Sequence, residues 1–290
     1  MSSLPVNPPL AKGPLAALIT GSALLAFGPM LVRLADVGPI ASAFWRMALA
    51  APVLVLVALW VRRDGGGLPF KGLPWGLAAL AGFFFAADLA AWHMGIVRTT
   101  TANATLFANT TAFMLAGWAI LVKRQNPGAA TLKALALAGA GSLLLFGTSA
   151  QVSPEHLAGD LLSLCAAALY TGYLLTVIRL RDRLPTSTVL AMSTLASVVV
   201  LLPLALIEPG SIWPMDWRPV AGLAVSSQLL GQGLMVYASG KLPAPVIGIG
   251  LLVQPLVSAA TGWLVFGEVL GPVELVGAAL VAAALVLIRR

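Results

Sequence analysis

Residues 39–61 read PIASAFWRMALAAPVLVLVALWV, and Arg62 and Arg63 follow at once. Twenty-three residues with a single charge, Arg46, would form a helix about 35 Å long at 1.5 Å per residue. That crosses a hydrocarbon core of about 30 Å. Polar and apolar positions do not alternate along the run, so it is not a barrel strand, and only helices or closed barrels can span a bilayer. Two arginines at its end mark the side on which it leaves the membrane.

The pattern recurs along the chain. Ten apolar segments separate at charged, Pro-rich or Gly-rich breaks, at about 14–33, 39–61, 73–97, 99–122, 130–147, 158–179, 187–207, 219–239, 243–266 and 270–288. At about 20 residues per crossing, ten crossings use about 200 of the 290 residues and leave no room for an extramembrane domain. The composition agrees: 59% hydrophobic and 9% charged, with a mean hydropathy of +0.96. Soluble domains carry roughly 25% charged residues. A soluble enzyme, a disordered chain and a coiled coil are excluded. The net charge of +7 is read as helix anchoring rather than as a nucleic-acid surface. The lone Cys165 excludes an intrachain disulfide. The first apolar run, Pro14 to Val32, is too long for the core of a signal peptide.

Basic residues set the expected orientation. Thirteen fall on one side: Lys12, Arg62, Arg63, Lys71, Lys123, Arg124, Lys133, Arg179, Arg181, Arg183, Lys241, Arg289 and Arg290. Only Arg33, Arg98 and Arg218 fall on the other, and Arg46 stays inside a segment. This bias predicts that both termini are cytoplasmic and that the protein lies in the cell inner membrane.

The chain also repeats itself. A shift of 146 pairs Gly13 with Gly159, Arg33 with Arg179, Asp36 with Asp182 and Pro39 with Pro185. A shift of 145 pairs Pro74 with Pro219, Leu89 with Leu234, Gly95 with Gly240, Gly117–Trp118 with Gly262–Trp263 and Pro127 with Pro272. Matched Arg, Asp, Pro and Trp are not a Leu/Ala background. The expected fold is therefore an all-α integral membrane protein: ten transmembrane helices in two five-helix repeats, residues 1–147 and 158–290. Five is odd, so the second copy enters from the opposite side and the repeats are inverted. Inverted repeats are characteristic of secondary transporters, whose substrate site lies near mid-membrane between the halves.

Ionisable residues at depth point to function. Arg46 is about 10 Å, and Asp88 about 13 Å, from the same membrane face. One reading is a structural or gating Arg46–Asp88 ion pair. In the other, Arg46 takes a substrate carboxylate while Asp88 faces an amino group. Phe85 and Trp92 share the Asp88 face, three before and four after it. His93, beside them, is a candidate donor or proton site. Asn109 and Gln254 correspond under the repeat, both about 15 Å deep. Gln228 and Gln232 mark the eighth segment, and Tyr170 and Tyr173 the sixth. The expected substrate-contacting set is Phe85, Trp92, His93, Asn109, Tyr170, Gln228, Tyr237 and Gln254. Arg46, Asp88 and His93 are the candidates for gating or proton coupling. For the amides, the rival reading is interhelical hydrogen bonding.

Pro29, Pro52, Pro203 and Pro255 are expected to interrupt their helices. Gly139-Ala140-Gly141, Gly267 with Gly271, and Gly277 with Ala278 read as close-packing surfaces, and Glu268 as a helix end. No phosphate-cradling Gly-Lys-Ser/Thr loop, zinc-protease motif or Asp-rich cluster occurs, so no cofactor, metal site or catalytic centre is expected.

Three motifs resemble the drug/metabolite transporter superfamily, EamA type. They are Ala43-Phe44-Trp45-Arg46, Gly159-Asp160-Leu161-Leu162, and Phe266-Gly267-Glu268-Val269-Leu270 followed by Gly277-Ala278-Ala279-Leu280. The resemblance covers essentially the whole chain and identifies a fold family rather than a substrate. It implies an exporter of small metabolites, with a central cavity lined by helices of both halves. Among its members the aromatic amino-acid exporters are the nearest likeness, on Trp92 and His93. One departure is Asn109-Thr110, where the second half has Gln254-Pro255, so the halves need not bend alike. The expected activity is export of neutral or zwitterionic metabolites, amino acids foremost, by alternating access. The expected partners are the substrate, the lipid bilayer and, as a coupling ion, protons. The alternative is a multidrug or cationic-metabolite exporter of the same fold.

Overall fold

The computed structural model describes residues 12–63, 72–126, 128–147, 153–266 and 271–287. Every regular element among them is helical, as a chain must be if its backbone is to satisfy its own hydrogen bonds in lipid. In chain order, α1 covers Lys12–Leu34, α2 Pro39–Arg63 and α3 Trp75–Ile96. Helix α4 is built from Thr101–Ala108, Thr111–Gly117 and a π-helical turn, Trp118–Val122. Helices α5, α6 and α7 are Gly128–Gly147, Leu157–Arg181 and Thr186–Ile207. Helix α8 is built from Trp217–Gly222, a π-helical Leu223–Gln232 and Gly233–Ser239. Helix α9 is built from Ala244–Leu251 and Val253–Phe266, and α10 is Pro272–Leu287. Nine of these are long and apolar enough to cross a membrane, and α10 is a shorter apolar helix. Lys71, Pro127, Gly267, Glu268, Arg289 and Arg290 lie outside the described residues.

Three helices are broken near mid-depth. In α1 the ladder stops after Leu25 and resumes at Gly28, with Pro29 in the first turn, where its missing N–H costs no bond. In α4 the break falls at Asn109–Thr110, and the Thr110 hydroxyl donates to the Phe107 carbonyl at 2.6 Å. In α9 it falls at Leu252, and Pro255 just beyond cannot return a bond to the turn before it. The first and second halves thus both bend at the Asn109/Gln254 level. Two of the four expected proline interruptions do not occur: Pro52 and Pro203 lie inside the unbroken α2 and α7.

Packing joins the halves. Helix α3 lies against α6 and α7, while α1 and α2 lie against α8; α2 packs on α7, α4 on α9 and α5 on α10. Lipid is as apolar as leucine, so close contact rather than water exclusion holds such helices together. At Gly82 on α3 a Cβ would sit 2.2 Å from the Ala196 Cβ on α7, and Ser197 donates to the Gly82 carbonyl at 3.0 Å. Gly141 and Gly277 meet across α5 and α10, where a Cβ on either would lie 2.7 Å from the other's carbonyl oxygen. This is the close-packing surface expected of them.

Polar groups tie the helix ends on the face where α1 ends and α2 begins. Arg33 donates to the carbonyls of Ile96 (2.6 Å) and Thr99 (2.8 Å), complementing the α3 C-terminus. Glu208 accepts from the N–H groups of Ile40 (3.1 Å) and Ala41 (2.9 Å), capping α2 from the end of α7. Asp36 accepts from the N–H groups of Met215 and Asp216, and the Trp45 indole donates to the Ile212 carbonyl at 2.6 Å. Asp160 accepts from Thr99 (2.6 Å) and Asn103 (2.9 Å), fixing the α3–α4 turn to α6. On the opposite face Arg181 donates to the carbonyls of Leu184 and Val236.

Candidate functional site

A cavity with about 530 Å³ of empty space, counted to its open mouth, lies at mid-depth among seven helices. Helix α1 contributes Leu25, α2 Arg46, and α3 Phe85, Asp88, Leu89 and Trp92. Helix α4 contributes Ala108, Asn109 and Thr111, and α6 Ala167 and Tyr170. Gln232 enters from α8, Leu251 and Gln254 from α9. Helical spacing explains the α3 stripe, since residues three and four apart share a face. Asn109, Leu251 and Gln254 lie at the breaks of α4 and α9, which turn those helices' wall residues inward at one level. The break in α1 has a related effect: Gly28 gives room to the Trp92 indole, whose Cη2 would be 2.9 Å from a Cβ there.

The wall has an aromatic side and a charged side. Phe85 stacks on Tyr173 with centroids 4.3 Å apart and 13° between planes, and Tyr170 stacks on Tyr173 at 5.8 Å. The Arg46 guanidinium lies over the Phe85 ring, 5.8 Å from its centroid, a distance at which the ring face attracts a cation. Arg46 is 2% exposed and Asp88 8% exposed. Both line the cavity, yet they make no ion pair; among the described residues the ion pair formed is Arg218 with Asp216. Equal depth along two helices brought the two charges to one level but not into contact.

Of the site residues expected from the sequence, Phe85, Trp92, Asn109, Tyr170, Gln254, Arg46 and Asp88 line this one cavity. Three do not. His93 is fully buried behind the wall, with its Nδ1 2.8 Å from the Ser42 hydroxyl and 3.2 Å from the Pro39 carbonyl, linking α3 to the start of α2. Gln228 donates to the Thr194 hydroxyl on α7 at 2.9 Å. Tyr237 lies near the end of α8, with the Lys241 ammonium 5.0 Å from its ring centroid. The amide that does reach the cavity from α8 is Gln232, a residue the expected set lacks. A signal for it existed: the register pairing Leu89 with Leu234 pairs Asp88 with Gly233, the neighbour of Gln232.

A model of the EamA-like transporter family matches residues 12–147 and, a second time, 157–290. This chain belongs to the EamA-like transporter family. It is a multi-pass membrane protein of a transporter family, as the Ala43–Arg46 and Gly159–Leu162 motifs suggested. An uncharacterized transporter of Bacillus subtilis (strain 168), YwfM, is 28% identical over 262 residues, covering 86% of this chain and 84% of its own. The threonine/homoserine exporter RhtA of Escherichia coli (strain K12) is 30% identical over 153 residues, 52% of this chain and 50% of its own. A crystal structure superposes with a TM-score of 0.74 over 94% of this chain and 97% of its own at 18% identity, a likeness of fold.

Proposed function

We propose that this chain exports small neutral or zwitterionic metabolites, in particular amino acids with aromatic or other apolar side chains, through the mid-depth cavity by alternating access. The observation that carries the reading is the pair Arg46 and Asp88, groups of opposite charge type on one cavity wall that make no direct ion pair with each other. Charges buried at membrane depth are costly unless paired. A ligand bearing its own carboxylate and ammonium would pair both at once. A purely cationic substrate would leave Arg46 without a carboxylate partner, which disfavours the cationic-metabolite alternative. Phe85, Trp92 and Tyr170 offer apolar and aromatic surface beside these charges for the substrate side chain.

The same reading takes residues 1–147 and 158–290 as inverted repeats. The main contacts between the halves keep their pattern when the halves are exchanged: α3 on α6 corresponds to α8 on α1, α3 on α7 to α8 on α2, and the α2–α7, α4–α9 and α5–α10 pairs map onto themselves. That symmetry supports two related states, one open to each side. Orientation in the inner membrane with both termini cytoplasmic follows from the basic-residue bias. All three basic residues on the opposite face are also engaged, Arg33 and Arg98 by carbonyls and Arg218 by Asp216.

Purified protein in proteoliposomes, loaded with labelled amino acids and assayed with and without a pH gradient, tests the proposal. Saturable flux is expected, and a gradient that changes its rate would identify protons as the coupling ion. Absence of amino-acid flux under both conditions overturns the substrate assignment.

A further inference from the structure

Among the described residues two cations stand more than a turn inside a helix: Arg46, seven residues from the start of α2, and Lys133, five residues from the start of α5. Arg46 lines the transport cavity. Lys133 lines a different space, a groove with about 620 Å³ of empty space counted to its open mouth. Helix α5 lines it with Lys133, Ala136, Leu137 and Ala140, and Leu287 bounds it from α10. Lys133, Ala136 and Ala140 follow one another at spacings of three and four, so they share a face of α5. All three are exposed, so the groove opens away from the bundle, toward lipid. Apart from the Lys133 ammonium its lining is alanine and leucine, and an apolar hollow of this kind holds no ordered water.

The packing of α5 on α10 explains why the groove is there. Gly141 and Gly277 bring the two helices to backbone contact. Lys133 lies eight residues, about 12 Å, from Gly141 along α5, and Leu287 lies ten residues, about 15 Å, from Gly277 along α10. The groove therefore runs from near the glycine contact to the end of the pair on the basic face, the face of Lys123, Arg124, Arg181 and Lys241. Among the described residues Lys133 makes no ion pair, and the described acid of that face, Asp182, lies at the end of α6. A charge set within the span of a helix is costly unless it finds a partner. A lysine stem lies along apolar surface while its ammonium reaches the head-group level, where the lipid phosphates are.

We propose that this groove binds an anionic phospholipid, its phosphate on Lys133 and one acyl chain along Ala136 and Ala140 against Leu287. Lysine meets a phosphate as a point charge and needs no forked geometry. A zwitterionic lipid would bring its own cation to a face already basic, whereas an anionic one does not. Basic pockets between helices on the cytoplasmic side take anionic head groups, and the orientation proposed above puts the groove on that side. The site shares no lining residue with the transport cavity, so it holds whatever the substrate is.

The test titrates the full-length protein in detergent with dioleoyl phosphatidylglycerol or dioleoyl phosphatidylcholine and counts bound lipid by native mass spectrometry. The first phosphatidylglycerol is expected to bind about fivefold more tightly than the first phosphatidylcholine, the effect of one cation on an anionic head group. Lys133→Gln should abolish that preference and Lys133→Arg should keep it. Lys241→Gln, which removes a cation of the same face outside the groove, should leave it unchanged. Ala136→Phe, which fills the groove, should weaken phosphatidylglycerol binding with Lys133 still in place. Equal binding of the two lipids by the wild type overturns the proposal, as does an equal loss in Lys133→Gln and Lys241→Gln, the mark of a general surface attraction. Competition by glycerol 3-phosphate, a head group without chains, overturns it in favour of a soluble phosphate. A lipid-free dimer that Ala136→Phe dissociates overturns it in favour of a second copy of the chain. If Ala136→Phe misfolds, the Lys133 variants against Lys241→Gln decide alone.

Discussion

The cavity wall and the capped helix ends use the same kinds of side chain to opposite purposes. At the ends, Arg33, Asp36, Asp160 and Glu208 each meet backbone or side-chain partners within 3.2 Å. At mid-depth, Arg46 and Asp88 share a wall without pairing, and Nε1 of Trp92 and Nδ2 of Asn109 have no partner. Completed hydrogen bonds hold a structure, whereas unfinished ones in a buried space mark where a ligand completes it. The difference teaches that charge alone does not find the site in such a chain; the state of a charge's partners does.

That contrast can be broken by separating transport from stability. The largest effect on transport is expected at Asp88→Asn and Arg46→Gln. Each removes one charge-assisted contact to a zwitterion, about 1.5–3 kcal/mol, or roughly ten- to a hundredfold in apparent affinity. Neither removes a made ion pair, so the melting temperature in detergent should stay level or rise. A fall of many degrees with transport intact would reverse the assignment. Asp160→Ala should do the opposite, losing roughly 2 kcal/mol of stability with its bonds to Thr99 and Asn103 while KM stays near wild type. Thermal melts and flux on one preparation check both.

Glu208→Ala removes the α2 cap and should cost about 1 kcal/mol, read as a lowered melting temperature without change in KM. Asp216→Asn should have the smallest effect, since its pair with Arg218 is exposed and surface pairs contribute little. Hydrogen bonds from the Arg218 side chain hold the Asp216 carboxyl below its usual value. Any stability it contributes is therefore present above the ordinary carboxylate range and lost as pH falls through the lowered value. Melts from pH 7 down to pH 3 should show the wild-type and Asp216→Asn curves converging, not parting.

The ten apolar helices, nine of them long enough to span, and the family were legible in the sequence because length and hydropathy are set by the bilayer, not by neighbours. The level of the site was legible too, since 1.5 Å per residue turns position into depth. Azimuth was not. Gln228 and Gln232 are one turn apart on α8, and only packing against α7 decides that Gln228 meets Thr194 while Gln232 meets the cavity. His93 stands beside Trp92 in sequence, yet the ring turns toward Ser42 instead of the wall. Helix breaks were half legible. Pro29 and Pro255 sit at real breaks, Pro52 and Pro203 do not, and Asn109–Thr110 breaks with no proline at all. A proline removes one bond, but tertiary contacts decide whether the helix parts there.

The close approach of Gly82 to Ala196 concerns more than packing. Helix α3 carries Phe85, Asp88, Leu89 and Trp92, yet its tightest neighbours, α6 and α7, are contributed by the other half of the sequence, and α8 in turn leans on α1 and α2. The two halves are interlaced like clasped hands. A five-helix half synthesised alone would leave the Gly82 face of α3 without a counterpart, so it would have to take a second copy of itself as its other half. A chain cut between α5 and α6 should accordingly regain its cavity only when both fragments are made together.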